Sequence, residues 1–410
     1  MKAGTALAAI AAVSLVAPAA ASADVRYASP AGDGNACSSG VPCSLQRAVE
    51  FAGSGDEVAV LSGTYTESDE LDVTGPIVVH GIAGQPAPVV VSTAATAVDV
   101  SSPGAELRRM ELVHFGSGDA LLLDDGVASQ IVARTTSSGF ACQVRGATLQ
   151  QSLCSSTGAG GSGAGMTVTT GYEISNLRHV TAIGAGPGGR GLEVGGETGG
   201  IADLRGIDVI ARASAVDIES RTDGASIASI GLDFSNYGSS SLVGTNAFAT
   251  APGIAYNQTD TPVFADPEAG DFHEHPDSPT IDRGTGYAQL DDEDVDGEPR
   301  IQGYGIDIGA DEFLVGPPPS DTNPPDTRIL KGPSRKTSHH HASFKFGTSE
   351  PAQAIFMCSV DGAPFKQCKS PHRVRVKRGR HAFRVLSIDA AGNVDPTPAL
   401  RAWRVRPERK

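Results

Sequence analysis

Val98-Asp99-Val100, Leu121-Leu122-Leu123, Cys142-Gln143-Val144, Met166-Thr167-Val168, Leu192-Glu193-Val194 and Val216-Asp217-Ile218 recur along the stretch from Ala97 to Tyr237. Each is a short apolar alternation, and the last residues of successive triplets lie 23, 21, 24, 26 and 24 positions apart. A second apolar set follows each triplet: Leu107/Met110/Leu112, Ile131 with Val132, Leu149/Leu153, Ile174/Leu177/Val180, Leu204/Ile207/Val209 and Ile227/Ile230/Leu232. Gly- and Ser-rich turns, such as 158–165 and 184–191, close the units. A repeat of roughly 20–30 residues carrying two or three short strands predicts a solenoid. Uninterrupted runs long enough for a helix are scarce. The expected fold class is all-β, a right-handed parallel β-helix in which each repeat is one coil and coils stack at about 4.8 Å.

Working outward, the 410 residues leave room for more than one domain. Lys2, the apolar run Leu7 to Val16 and Ala21-Ser22-Ala23 read as a secretory signal, residues 1–23, cleaved after Ala23. The apolar run is short for a membrane span of about 20 residues. The mature chain is therefore expected to be secreted, with no span of its own. Six cysteines fall as three local pairs, Cys37/Cys43, Cys142/Cys154 and Cys358/Cys368. An even count in a secreted chain predicts disulfides. For Cys142/Cys154, half a coil apart inside the solenoid, two buried thiols are the alternative.

Charge divides the chain. From Asp326 to the end, 18 Lys+Arg face 6 Asp+Glu, net +12; with −15 for the whole, residues 1–325 carry −27. That asymmetry bears on partners rather than on fold.

Before the solenoid, Ser44 caps a short helix whose Leu45, Ala48, Val49 and Ala52 share one face, a lid for the open end of the first coil. Tyr27-Ala28-Ser29-Pro30, Cys37, Pro42-Cys43, Gln46, Gly55-Asp56, Val58 and Gly63-Thr64-Tyr65 resemble the N-terminal segment of secreted bacterial β-helix proteins of the pectate-lyase-like superfold. After the solenoid, Thr261 to Pro267, Gly270-Asp271-Phe272, Asp277 to Gly284, Asp296-Gly297, Pro299-Arg300 and Asp307 to Phe313 resemble the closing segment of the same proteins, the choice-of-anchor Q type. Asp311 stands where that pattern usually has an aromatic. Together the resemblances imply one β-helix unit over 24–314. Residues 315–325, rich in proline, read as an extended linker. Residues 326–406 read as a small all-β domain. Phe356 to Gly362, Phe365, Cys368, Gly379, His381-Ala382-Phe383, Asp389 to Asn393 and Trp403 resemble Ig-like repeats of secreted actinobacterial proteins, which implies an Ig-like β-sandwich.

No catalytic constellation stands out. The galacturonan hydrolases of this superfold carry Gly-His-Gly and Arg-x-Lys motifs; this chain has Asp124-Asp125 without either, and Asp124-Asp125-Gly126 reads as a turn. Lyases of the superfold hold Ca²⁺ on carboxylates of successive coils beside an arginine base. Asp99, Asp119, Glu193, Asp208, Asp217 and Glu219 with Arg178, Arg205 and Arg212 are the residues available for that. Alternation places Asp99, Glu193 and Asp217 in one outward column, interrupted by Leu122, Gln143 and Thr167.

Asp292, Asp294 and Asp296 match half of a Ca²⁺ loop, but Gly303 stands where the bidentate Glu belongs. Calcium is accordingly the one cofactor the sequence offers, with a solvated acidic loop as the bland reading. His273 and His275 beside Asp271 and Glu274, and His339-His340-His341, are weaker metal patterns; adjacent strand side chains diverge. Arg373-Val374-Arg375-Val376-Lys377 is read as one arm of a hairpin, with Arg378 and Arg380 at its tip and Arg384 on the return. That face suits an anionic polymer; sparse aromatics argue against nucleic acid. The sequence thus favours a secreted or cell-surface, non-catalytic protein that binds carbohydrate or another envelope polymer. A polysaccharide lyase or glycoside hydrolase is the alternative.

Overall fold

The computed structural model describes residues 23–285, 292–303, 305–314, 324–350, 354–388 and 394–407. The expected signal up to Ser22 and most of the proline-rich linker lie outside them.

Period-2 apolar runs pair in parallel, each with its counterpart one repeat on. One sheet runs from Val25–Ala28 through Glu57–Val60, Val78–Gly81, Ala105–His114, Gly126–Thr135, Thr148–Ser156, Tyr172–Gly184, Ile201–Ala213 and Ile227–Asp233 to Ala247–Ala249. A second holds Leu71–Val73, Val98–Val100, Leu121–Asp124, Phe140–Arg145, Ser162–Val168, Arg190–Gly196, Val216–Thr222 and Ser240–Val243. Inward residues of both, among them Leu107, Leu123, Val144, Leu149, Met166, Leu177, Leu204 and Ile218, form one continuous core. The chain is a parallel β-helix. Its first coil is covered by the helix Leu45–Glu50, where Ser44 Oγ accepts the Arg47 N–H at 3.4 Å and Leu45, Ala48 and Val49 are buried. Cys37–Cys43 and Cys142–Cys154 are bonded; the second pair, both fully buried, ties Phe140–Arg145 to Thr148–Ser156.

The register departs from the triplet alignment in the middle of the stack. Cys142 pairs with Ala164, and Leu192 pairs with Ile218, so two triplets are displaced by two residues. A slip of two leaves every side chain on its own face, so period-2 patterning cannot detect it. The outward column of the second sheet is therefore Asp72, Asp99, Leu122, Gln143, Gly165, Glu193, Glu219 and Ser241, with Gly165 replacing Thr167 and Glu219 replacing Asp217. Part of the expected turn 158–165 is strand, since Ser162–Val168 begins within it. Glycine is required there by close approach of the coils: a Cβ on Gly163 would lie 2.4 Å from Ile183 N.

The long strands of the first sheet each contain one residue in the left-handed region. These are Arg109, Gln130, Gln151, His179 and Asp208, with Phe234 directly after Ile227–Asp233, and φ between +42° and +55°. They lie opposite one another across the strands. Each bends its strand and shifts the inward phase by one, and the register stays unbroken because the strands bend at the same level. That explains the spacing of three in Leu107/Met110 and Leu177/Val180. It also turns Ile174 and Ile207, expected in the apolar set, to the outside, both partly exposed. The sheet thus has two outer faces meeting at this ladder. The face after the bend is covered by parts of the closing segment: Phe272 and Ala310 cluster with Leu153 and Ile183, and Val132, Phe264 and Val295 pack against them. The face before the bend stays open.

The C-terminal residues form two small sheets, ordered Thr327–Lys331, His341–Thr348, His372–Arg375 and Lys336–Thr337, Ala399–Val405, Gly379–Ile388, Ile355–Val360, Lys366–Cys368. Phe344, Phe346, Phe383, Val385 and Trp403 pack between them, and Cys358–Cys368 joins the two strands of a hairpin. The two sheets pack face to face as a small β-sandwich. Ile301 of the closing segment packs on a second apolar cluster, Ile355, Met357, Leu386 and Ile388.

Candidate functional site

The open face before the bend holds a groove of about 1060 Å³, crossing the strands from Thr148–Ser156 to Ala247–Ala249. Register sets its floor. One row runs Thr148, Asn176, Arg205, Gly231; a second runs Gln150, Arg178, Ile207, Asp233; a third runs Ile174, Asp203, Ser229, Phe248. Gly231 matters because its missing side chain would point outward into open space, which deepens the floor. Asp203 is engaged on both oxygens: Arg205 Nη2 donates to one at 2.7 Å and Ser229 Oγ to the other at 2.7 Å. Among the described residues, Arg178 and Asp233 make no ion pair across the groove. Two strand spacings, about 9–10 Å, separate them. At the far end Phe248 and Ile254 are more than half exposed, and Phe234 stacks on the exposed Tyr256 at 4.7 Å. The groove therefore offers hydrogen-bonding edges, one cation and one carboxylate besides the Arg205–Asp203 pair, and apolar plates.

Most of the other carboxylates and arginines listed by sequence reasoning hold the fold together. Asp208 lies beneath the closing segment, accepting the Thr285 N–H at 2.8 Å, 3.7 Å from His179 Nδ1. Burial pushes its carboxyl up to about 7, and burial holds His179 well below the usual histidine range. The fully buried Arg300 donates to the carbonyls of Ala310, Asp307 and Gly309 and to His179 Nδ1. Arg212 binds Asp217 at 3.2 Å and the Asp260 carbonyl at 2.7 Å, while Asp217 also accepts the Gly238 N–H. Asp119 accepts the Phe140 N–H at 2.7 Å. On the second sheet Glu193 and Glu219 sit side by side on adjacent coils, neutralised by Arg190 (2.7 Å to Glu219) and Arg221 (3.0 Å to Glu193). Asp125, with φ +63°, makes the turn expected of Asp124-Asp125-Gly126, and Asp124 pairs with Arg145.

The contiguous Ca²⁺ loop does not assemble around one point. Asp294 is fully buried; its Oδ1 accepts the Asp296 and Glu298 N–H groups and its Oδ2 the Glu312 N–H. Asp296 instead reaches His273, and the Asp292 carbonyl accepts the Arg300 N–H. These residues do not fit a calcium ion, which takes six to eight oxygens. His339, His340 and His341 diverge, His340 Nδ1 lying 2.9 Å from the Val376 carbonyl.

The basic residues are not on one hairpin. His372–Arg375 pairs with His341–Thr348 in the three-stranded sheet, whereas Gly379–Ile388, bearing Arg380 and Arg384, pairs with Ile355–Val360 and Ala399–Val405 in the other. Lys377 and Arg378 lie in the crossing between sheets. Arg373 and Arg375 face outward beside His341 and Lys345, all exposed. Adjacent apolar runs read as a hairpin in sequence, but the sandwich core pulls them to opposite layers.

No family model and no curated protein matches this chain. Among solved structures, the pectate lyase Pel9A aligns over 71% of this chain and 96% of its own length at 13% identity, with a TM-score of 0.38. A pectin methylesterase from Aspergillus niger aligns over 56% and 90% at 13% identity, with a TM-score of 0.26. The fold assignment above rests on the parallel register and not on these likenesses. No helix among the described residues is long and apolar enough to cross a membrane.

Proposed function

We propose that this is a secreted β-helix protein that binds an extended extracellular polysaccharide along the open groove. The carrying observation is the pairing of Asn176, Arg178, Ser229 and Asp233 with the exposed Phe248 and Ile254 in one long depression. Sugars present polar edges and apolar faces, and such mixed clefts hold both. The paired cysteines accord with an oxidising, extracellular location. The cationic outer face with Arg373, Arg375 and Lys345 supports an anionic envelope polymer as a second contact.

The groove also favours a second reading, an enzyme cleaving the polymer it binds. Carboxylates and arginines share one depression, with Asp233 and Arg178 placed to exchange protons with, or neutralise, a bound uronate. Incubation of the disulfide-intact protein with a polysaccharide panel, followed by reducing-end and unsaturated-uronate absorbance and by gel retention, separates the readings. Retention without turnover, weakened at least tenfold in Arg178→Ala, is the expected result. Turnover lost in Asp233→Asn makes the protein an enzyme. Retention untouched by Arg178→Ala and Phe248→Ala removes the groove from the function altogether.

A further inference from the structure

The closing segment gathers three residues distant in sequence. His273 lies on the strand Asp271–Glu274, Asp296 in the acidic loop, and Asp311 in the terminal run. One ligand atom from each falls within 4.8 Å of the other two. His273 Nε2 is 2.8 Å from Asp296 Oδ2, and its Nδ1 contacts the Asp271 carboxylate. Asp311 is buried and its Oδ2 is anchored by the Glu274 N–H at 2.5 Å. Asp296 is held in turn by its own N–H on the pinned Asp294. The three line a cavity of about 200 Å³ whose other walls include Phe272, Val295 and Ala310.

We propose that His273, Asp296 and Asp311 hold a divalent transition-metal ion of the zinc or manganese class, with Asp271 as the positioning carboxylate behind the imidazole. Three features carry this. The ring has one nitrogen on the Asp271 carboxylate, which fixes its orientation, and the other on Asp296, with Asp311 within reach of both residues, the arrangement by which a carboxylate behind the ring prepares a histidine ligand. Mixed imidazole and carboxylate donors suit first-row divalent ions better than Ca²⁺, which needs more oxygens than converge here. The cavity has room for the ion and for waters completing its shell. The ion takes the place of the Nε2–H···Oδ2 contact and cross-links three separate parts of the segment that covers the bent face.

Titration calorimetry with ZnCl₂, MnCl₂ and CaCl₂ on chelator-treated, full-length protein tests this. The expected result is one site per chain for Zn²⁺ or Mn²⁺, weakened at least tenfold in both His273→Gln and Asp296→Asn. Because His273 and Asp296 are partly exposed, both variants should retain the wild-type circular dichroism. Cobalt substitution gives an independent readout, a visible ligand-field band present in the wild type and lost in His273→Gln. Zinc binding of unchanged affinity in both variants overturns the assignment, as does preference for Ca²⁺ over Zn²⁺ or absence of binding at millimolar metal.

Discussion

Replacing Asp208 by asparagine tests how the closing segment is held. Asp208 is buried at the bend, facing His179 on the neighbouring strand, Thr285 and Arg300 on the closing segment and, at longer range, Arg178. Burial raises its carboxyl from 3.8 to about 7, against the weaker opposing pull of the Thr285 N–H and the two arginines. His179, held neutral by burial beside Arg300, supplies no compensating charge. The folded chain thus keeps this proton up to about pH 7, whereas the unfolded chain gives it up near pH 4. Between those values the folded state binds more protons, so stability is fully present below about pH 4, falls as pH rises, and is lowest above about pH 7. At about 1.4 kcal/mol per pH unit the penalty reaches roughly 4 kcal/mol at pH 8. Asparagine keeps an acceptor for the Thr285 N–H and cannot ionise. Denaturant unfolding should find Asp208→Asn within about 1 kcal/mol of wild type at pH 4.5 and more stable by roughly 2–4 kcal/mol at pH 8. A variant less stable by the same amount at both pH values would mean that Asp208 is ionised and paired in the folded state, and the reasoning would fail.

Two further outcomes follow from the packing. Removing the bridge with Cys142→Ala and Cys154→Ala should cost about 3 kcal/mol, read by the same unfolding assay, since it closes a loop of 12 residues inside the stack; no change would mean that the buried side chains alone hold those coils. Gly158→Ala should destabilise by about 3 kcal/mol or more, because its Cβ would lie 1.7 Å from the Ser137 carbonyl oxygen of the preceding coil, whereas Gly40→Ala, with nothing within 4 Å, should stay within about 0.5 kcal/mol.

The bend in the long strands shows where the sequence ceased to be legible. Arg109, Gln130, Gln151, His179, Asp208 and Phe234 are of five residue types, so composition does not mark them. Their trace is the step of three between Leu107 and Met110, or Leu177 and Val180, where a strand should step by two. That step is legible in the sequence as a break in the period of two, and it signals a bend. The groove was less legible. Arg178 and Arg205 were in view as lyase residues, and Asp203 reaches Arg205 along its own strand, but Ser229 and Asp233 join the same groove only through the parallel register, which period-2 patterning leaves free by two residues. The same freedom misplaced Asp217 in the acidic column.

By itself the sequence determined the all-β class, the stacked coils, the capping helix, the three cysteine pairs and the split of charge between the two parts. Each of these is local, arising from alternation, turn composition, short separations between cysteines, or counting. The tertiary structure alone decided which coil meets which, which half of each bent strand stays open, that the basic residues divide between two sheets, and that His273 meets Asp296 and Asp311. The reason is that a side chain's face is set by its neighbours along the chain. Its partners are set by core packing across tens of residues, where many registers satisfy the same local pattern and only one buries the whole surface.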